Sequence, residues 1–176
     1  MKIIFFVTTF LLSTISFSKA TEPKSPIPFE QIRQTLCRDY DNKFVETCTE
    51  EDFTINHADL NGDGTNEWFY SGPTQFGGAT ANFDLHIFSI SSDAAKWKIL
   101  YTGTARTIEL LDKKPLIYKD ILTTIYGGTI QTNIFLRWNG KAYQKQREIH
   151  CDFDLDEQTL PKECFISGQT IFDARE

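Results

Sequence analysis

Beyond its first twenty residues the chain has no segment apolar enough to cross a bilayer, which takes roughly 20 consecutive apolar residues, so no membrane span is expected. Basic residues are in deficit: 18 Lys and Arg face 24 Asp and Glu, a formal net charge of −6. This balance argues against nucleic acid, whose phosphates are bound by clustered Lys and Arg. No basic amphipathic stretch offers itself to an anionic membrane surface either. Catalytic signatures are also missing. The nucleophile elbow Gly-x-Ser-x-Gly does not occur, and Ser71 in YSGP lacks the strand-turn-helix pattern around it. The glycine-rich GPTQFGGAT (72–80) is followed by no Lys-Ser or Lys-Thr and opens no helix, which argues against a phosphate cradle. No two cysteines stand two residues apart, so the spacing is not that of a zinc knuckle.

What is present begins with Lys2, an apolar run from Ile3 to about Ile15, and the small-x-small end Ser18-Lys19-Ala20. This pattern predicts a cleaved secretory signal peptide over 1–20 and a periplasmic or extracellular protein, with 21–176 as a single globular domain. Without Lys2 and Lys19, 16 basic residues face 24 acidic ones, a net of −8. The four cysteines, Cys37, Cys48, Cys151 and Cys164, all lie in the later part. An even count in an oxidising compartment predicts two disulfides. Three pairings are possible, and the expected one joins Cys37 to Cys48 and Cys151 to Cys164, because each pair encloses a short polar stretch.

Periodicity sets the fold class. Phe29, Ile32, Leu36 and Tyr40 recur at helical spacing and predict a helix over about 29–40 that covers one side of a sheet. After it the period shortens. FTINH, EWFYS, FDLHIFSI, WKILY, TIELL, DILTTIY, TIQTNIFLRW and KAYQKQ read as strands, several with clear alternation. Gly127-Gly128 and Asn139-Gly140 mark reversals, the second as a two-residue hairpin turn. The expectation is a mainly β (α+β) protein: a curved antiparallel sheet or small sandwich of about eight strands with one N-terminal helix.

Between two of these strands lies ADLNGDGTNEWFY, from Ala58 to Tyr70. Asp59, Asn61 and Asp63 occupy positions one, three and five, followed by Gly64, Thr65 and Glu67. Oxygen donors at alternate positions suit a hard cation such as Ca2+, which takes six to eight oxygens, and Gly64 permits the turn that brings the Thr65 carbonyl round. The loop is not an EF-hand, whose twelfth position is a bidentate glutamate; here that position is Tyr70, and the flanks read as strands. A plain hairpin turn also uses Asn, Asp and Gly, which cap local backbone groups and tolerate positive φ. Three carboxylates so close together would repel without a cation, and this favours the metal reading.

DLNGDGTNE followed by an aromatic strand is similar to the calcium loop of FG-GAP and VCBS-type repeats of secreted and surface proteins, over about 15 residues. The resemblance implies calcium held by Asp59, Asn61, Asp63, the Thr65 carbonyl and Glu67, although that family usually has aspartate at the last position. Such repeats build propellers from several copies, whereas this chain has one copy and no self-similar period. The loop also resembles one in many small secreted bacterial proteins, where a glycine-rich loop and an RWNGKAY-like hairpin follow it, as 72–80 and Arg137 to Tyr143 do here.

The remaining candidates are weaker. His57 lies two residues before Asp59, where a catalytic base is conceivable; His86 reads as a sheet-face residue, and His150 borders a cysteine. Asp152, Asp154, Asp156 and Glu157 in CDFDLDEQTL read as a solvated acidic surface, which could meet a basic partner, and Trp68, Trp97 and Trp138 as strand residues that could offer a sugar platform. The sequence therefore predicts a secreted or periplasmic, disulfide-stabilised binding protein with one calcium loop and a protein or glycan partner. A small hydrolase using the loop region, or an inhibitor of a secreted enzyme, are the alternatives.

Overall fold

A computed structural model of the chain describes residues 26–38, 42–73, 82–91, 96–111, 118–155 and 159–173. The expected signal peptide, Tyr40 and most of the glycine-rich 72–80 loop lie outside those residues. Nine strands form two antiparallel sheets that do not close into a barrel. The first contains β1 (Thr54–Ala58), β2 (Glu67–Pro73), β3 (Phe83–Ile90) and β4 (Trp97–Ala105), in that order. The second has the order β8-β7-β6-β5-β9, with β5 at Thr107–Leu111, β6 at Asp120–Gly127, β7 at Ile130–Trp138, β8 at Tyr143–Asp152 and β9 at Gln169–Asp173. Only Arg106 separates β4 from β5, so one stretch of chain passes directly from the first sheet to the second.

Alternation along the strands sends side chains to two faces, and this produces three apolar clusters. Phe69, Leu85, Ile87 and Leu100 of the first sheet meet Ile108, Leu110, Ile121 and Leu136 of the second in a shared core, with Leu60 and Tyr143 enclosed among them. On the opposite face of the first sheet, Tyr70, Phe88 and Ile90 are covered by Ile27, Ile32 and Leu36. The last two belong to the helix α1 (Phe29–Leu36), whose apolar positions follow the 3.6-residue repeat. Leu111, Leu122 and Phe135 form the third cluster, on the outer face of the second sheet.

The helix is shorter than the periodicity suggests. It stops at Leu36 because the chain turns back at once: Cys37 is bonded to Cys48, Val45 N donates to Cys37 O at 3.0 Å, and Arg38 bridges to Phe44. Asn42 takes a φ of 59° in that reversal, as Asn does more readily than most residues. The β7–β8 connection also differs from the expected two-residue turn. Four residues separate Trp138 from Tyr143, with Asn139 N bonded to Ala142 O and the Asn139 carboxamide oxygen accepting from the amides of Lys141 and Ala142. Gly140, at a φ of 96°, supplies the left-handed position.

The outer face of the second sheet is crossed by the segment from Thr159 to Gly168. Asn133 Nδ2 donates to the Glu163 carbonyl at 2.9 Å, Arg147 pairs with the Glu163 carboxylate at 2.8 Å, and Gly168 N donates to Glu109 Oε2 at 2.6 Å. The Cys151–Cys164 disulfide ties this strap to the end of β8. Both cystines join the cysteines expected to pair, and no free cysteine is present.

Candidate functional site

β1 and β2 pair in register from Thr54 opposite Ser71 to Ala58 opposite Glu67, which leaves Asp59 to Asn66 as the connection. Two glycines make so tight a course possible: Gly62 and Gly64 have φ of 77° and 83°, the left-handed region that side chains with a Cβ avoid. The loop is anchored at both ends. Leu60 is fully buried in the shared core, and its carbonyl accepts from Lys119 N at 2.7 Å. Tyr143 holds the same stretch from below by donating its hydroxyl to Lys119 O at 2.8 Å.

Within the loop the polar side chains cap successive turns. Asp59 Oδ1 accepts from the amides of Asn61 and Gly62 at 3.2 and 2.7 Å, and Oδ2 from Gly64 at 2.9 Å. Asn61 Oδ1 accepts from Asp63 N at 2.9 Å; Asp63 Oδ1 accepts from Thr65 N at 2.7 Å and Oδ2 from Asn61 Nδ2 at 2.8 Å. These bonds favour the ionised carboxylates. The Gly64 amide foremost holds Asp59 below the usual aspartate range, and the Thr65 amide does the same for Asp63.

Glu67 behaves in the opposite way. Its side chain is turned inward, 3% exposed, and Oε2 accepts from Leu60 N at 2.9 Å. Burial pushes the carboxyl up from 4.5 to about 7, the Leu60 amide opposes that rise, and the charges of Asp63 and Asp59 add to it. A carboxyl group is thus enclosed beside two others that are firmly ionised.

A cleft of about 410 Å³ opens along this loop, with Asn61, Asp63, Thr65 and Glu67 on one side and Lys96 and Lys98 on the other. Tyr118 also lines it and forms a side-chain hydrogen bond with Asn61. Behind Tyr118 lies an aromatic group: its ring centroid is 4.3 Å from Trp138 and 6.1 Å from Tyr143, and Lys98 Nζ stands 5.3 Å over the Trp138 ring. Four of the five residues expected to ligate calcium share this cleft. Asp59 does not line it and spends its oxygens on the turn.

The donor chemistry suits a hard cation, since carboxylate, carboxamide and carbonyl oxygens are what calcium takes. Each carboxylate has about four acceptor positions, more than the bonds to backbone amides occupy here. The placement, however, is that of a self-capped turn. Among the described residues no three His, Cys, Asp or Glu side chains converge as metal ligands. An ion would have to share oxygens that now face amides.

Other candidate residues are placed elsewhere. His57 is exposed on β1 and packs against Trp68 with the rings tilted and their centroids 5.0 Å apart; alternation puts this pair on the face of the sheet opposite Glu67. His86 is buried with Nδ1 at 3.3 Å from Thr102 Oγ1, and burial lowers it to about 4. His150 Nδ1 lies 3.0 Å from Thr132 Oγ1 on the second sheet. The tryptophans form no common platform: Trp68 and Trp97 pack at the helix-covered face, and Trp138 packs against the shared core. Tyr118, Lys119, Tyr143 and the two cleft lysines were not apparent from the sequence, whose only hint was Tyr143 in the RWNGKAY hairpin.

Comparison with protein-family models, curated proteins and solved structures gave no match. The likeness to FG-GAP and VCBS loops therefore rests on the residues of the loop itself.

Proposed function

We propose that the chain is an extracytoplasmic binding protein, acting without turnover, whose Asp59–Glu67 loop takes up one calcium ion. The observation that carries this reading is the position of Glu67: a buried carboxyl flanked by two ionised aspartates, lining one cleft with Asn61, Asp63 and Thr65. A divalent cation would relieve both the burial of that charge and the repulsion among the three groups. Asp59, Asn61, Asp63, the Thr65 carbonyl and Glu67 would hold it, and the ion would fix the loop against the aromatic group at Tyr118. Two disulfides are compatible with an oxidising compartment, and no helix among the described residues is long and apolar enough to cross a membrane.

The test is calcium titration by calorimetry of the wild type and of Asp63→Asn and Glu67→Gln. These substitutions keep an oxygen acceptor for the loop amides and remove a charge. One saturable site, weakened at least tenfold in each variant, is expected. Heat indistinguishable from dilution in the wild type would reduce the loop to a hairpin turn. The hydrolase alternative places a base at His57; the packing of that ring against Trp68, across the sheet from the cleft, speaks against it.

A further inference from the structure

A second cavity, of about 210 Å³, is bounded by the Cys37–Cys48 disulfide on the helix-covered side of the first sheet. Its walls follow from local sequence. Gly72 leaves β2 bare at one point and the Phe53 ring lies there, where a Cβ would collide with it. Asp84 stands opposite Gly72 in the β2–β3 register. The chain reversal after α1 supplies Leu36, Val45 and the cystine, held by the disulfide itself, by Val45 N donating to Cys37 O at 3.0 Å and by Arg33 Nε donating to Cys48 O at 3.2 Å. The cavity is therefore formed before anything enters it, which lowers the ordering cost of binding.

Asp84 is out of keeping with these apolar walls. It is half-buried, it makes no hydrogen bond or ion pair with any described residue, and burial is the only cause that moves its carboxyl, upward from the ordinary value. Arg38, the one base on the described lining, instead donates Nε to Gln34 O at 2.7 Å and Nη1 to Asn42 O at 3.0 Å. Asp52, the other acid there, is exposed, and its Oδ2 accepts from Thr49 N at 2.7 Å. A carboxylate withdrawn from water without a partner lowers stability; facing a cavity, it marks a place for a cation.

The surroundings select which cation. Calcium takes six to eight oxygens, and no three His, Cys, Asp or Glu side chains converge among the described residues. A quaternary ammonium sits in an aromatic cage, whereas Phe53 is the single ring on the described lining. A compact head with its own hydrogen-bond donors on a short apolar stem meets both requirements, the head at the carboxylate and the stem against Leu36, Val45 and Phe53. We infer that this cavity is a binding site for a primary alkylammonium group, carried by a free amine or by a lysine side chain, with Asp84 as its counter-ion. The volume lies below the roughly 300–1,000 Å³ of sites for drug-sized ligands, so the occupant is small. The site is separate from the calcium loop: Gly72 follows Glu67 by five residues along β2, about 17 Å at about 3.4 Å per residue, and alternation turns the two positions to opposite faces of the sheet.

The probes are n-butylammonium, its uncharged counterpart n-butanol, and Nα-acetyl-lysine methylamide, each titrated at neutral pH into the 15N-labelled protein in chelator so that calcium plays no part. Saturable shifts at Leu36–Cys37, Val45–Cys48, Phe53 and Asp84 are expected for n-butylammonium, with affinity about tenfold weaker or less for n-butanol and in Asp84→Asn. That variant keeps the shape of the side chain and removes an unpaired charge, so it should melt no lower than the wild type. If it does melt lower, the two butyl probes in the wild type carry the same test. Binding of the lysine derivative alongside n-butylammonium upholds the inference and assigns the site to a lysine of a peptide or protein; binding of n-butylammonium alone upholds it and assigns the site to a free amine. Equal affinity for the amine and the alcohol overturns it, as does unchanged affinity in Asp84→Asn. The absence of a saturable shift, or shifts centred on the exposed acids Glu51 and Asp52, would do the same.

Discussion

Glu67→Gln separates the energetics of a buried charge from those of a metal ligand. In the wild type the carboxyl titrates at about 7 in the folded chain against an ordinary 4.5. The folded state therefore binds the extra proton between those values, and stability falls as pH rises through that window. Below 4.5 both states are protonated and no penalty exists; above 7 it is complete. The gap corresponds to about 3 kcal/mol at 1.36 kcal/mol per pH unit. Glutamine carries no charge and keeps an oxygen for Leu60 N. In chelator at pH 8 the variant should thus be more stable than the wild type by up to about 3 kcal/mol, several degrees in Tm for a domain of this size, and the advantage should vanish at pH 4.5. Calcium should reverse the order of response. At ten times a dissociation constant near 10⁻⁴ M it adds about 1.4 kcal/mol to the wild type and, with binding weakened at least tenfold, no more than about 0.4 kcal/mol to the variant. Chemical denaturation from pH 4.5 to 8, with and without calcium, measures both effects. A variant less stable than the wild type at pH 8 in chelator would refute the buried-charge argument, and an equal calcium response in the two proteins would remove Glu67 from the ligand set.

Three further outcomes follow from the geometry. Gly64→Ala meets no atom within 4 Å but must hold a φ of 83°, so denaturant unfolding should show a loss of about 1–2 kcal/mol from backbone strain alone; no change would mean the loop adopts another course. Replacing Cys151 and Cys164 by serine opens a loop of sequence separation 13 and should cost about 3 kcal/mol, with faster amide exchange along the strap; equal protection of Asn133 and Gly168 in both proteins would contradict the clamp. His86, lowered by burial to about 4, should stay neutral in an NMR titration until well below pH 6. Because the unfolded chain binds that proton first, the stability it contributes is complete above about 6.5 and is lost as pH falls toward 4.

Short-range pattern was legible in the sequence, and long-range contact was not. FDLHIFSI and TIELL coincide with β3 and β5 residue for residue, because strands half-buried or buried between packed layers carry their burial in their own composition. QTIFD, the ninth strand, carries no such signal: it has five residues without a fully buried position, and it is a strand because β5 offers it a free edge and the shared core receives Ile171 and Phe172. The helix was read four residues too long, since the signal that ends it is a covalent bond from Cys37 to Cys48. In the loop, the residue types announced oxygen donors, but not that Asp59 would be spent on backbone amides or that Tyr118, Lys119 and Tyr143 would dock it from far along the chain. The strap's path across Asn133, Arg147 and Glu109 has no local signature at all.

Six of the seven strand pairings join neighbours in the chain; the exception is β5 with β9. Hairpins of that kind close over short stretches and form early, whereas β9 must return across about sixty residues to find Thr107–Leu110. During synthesis, the edge of β5 consequently stays open until β9 itself has emerged. An unpaired, apolar strand edge is a template for association with other chains. A chain cut before Gln169 would hold both meanders and still be prone to aggregate.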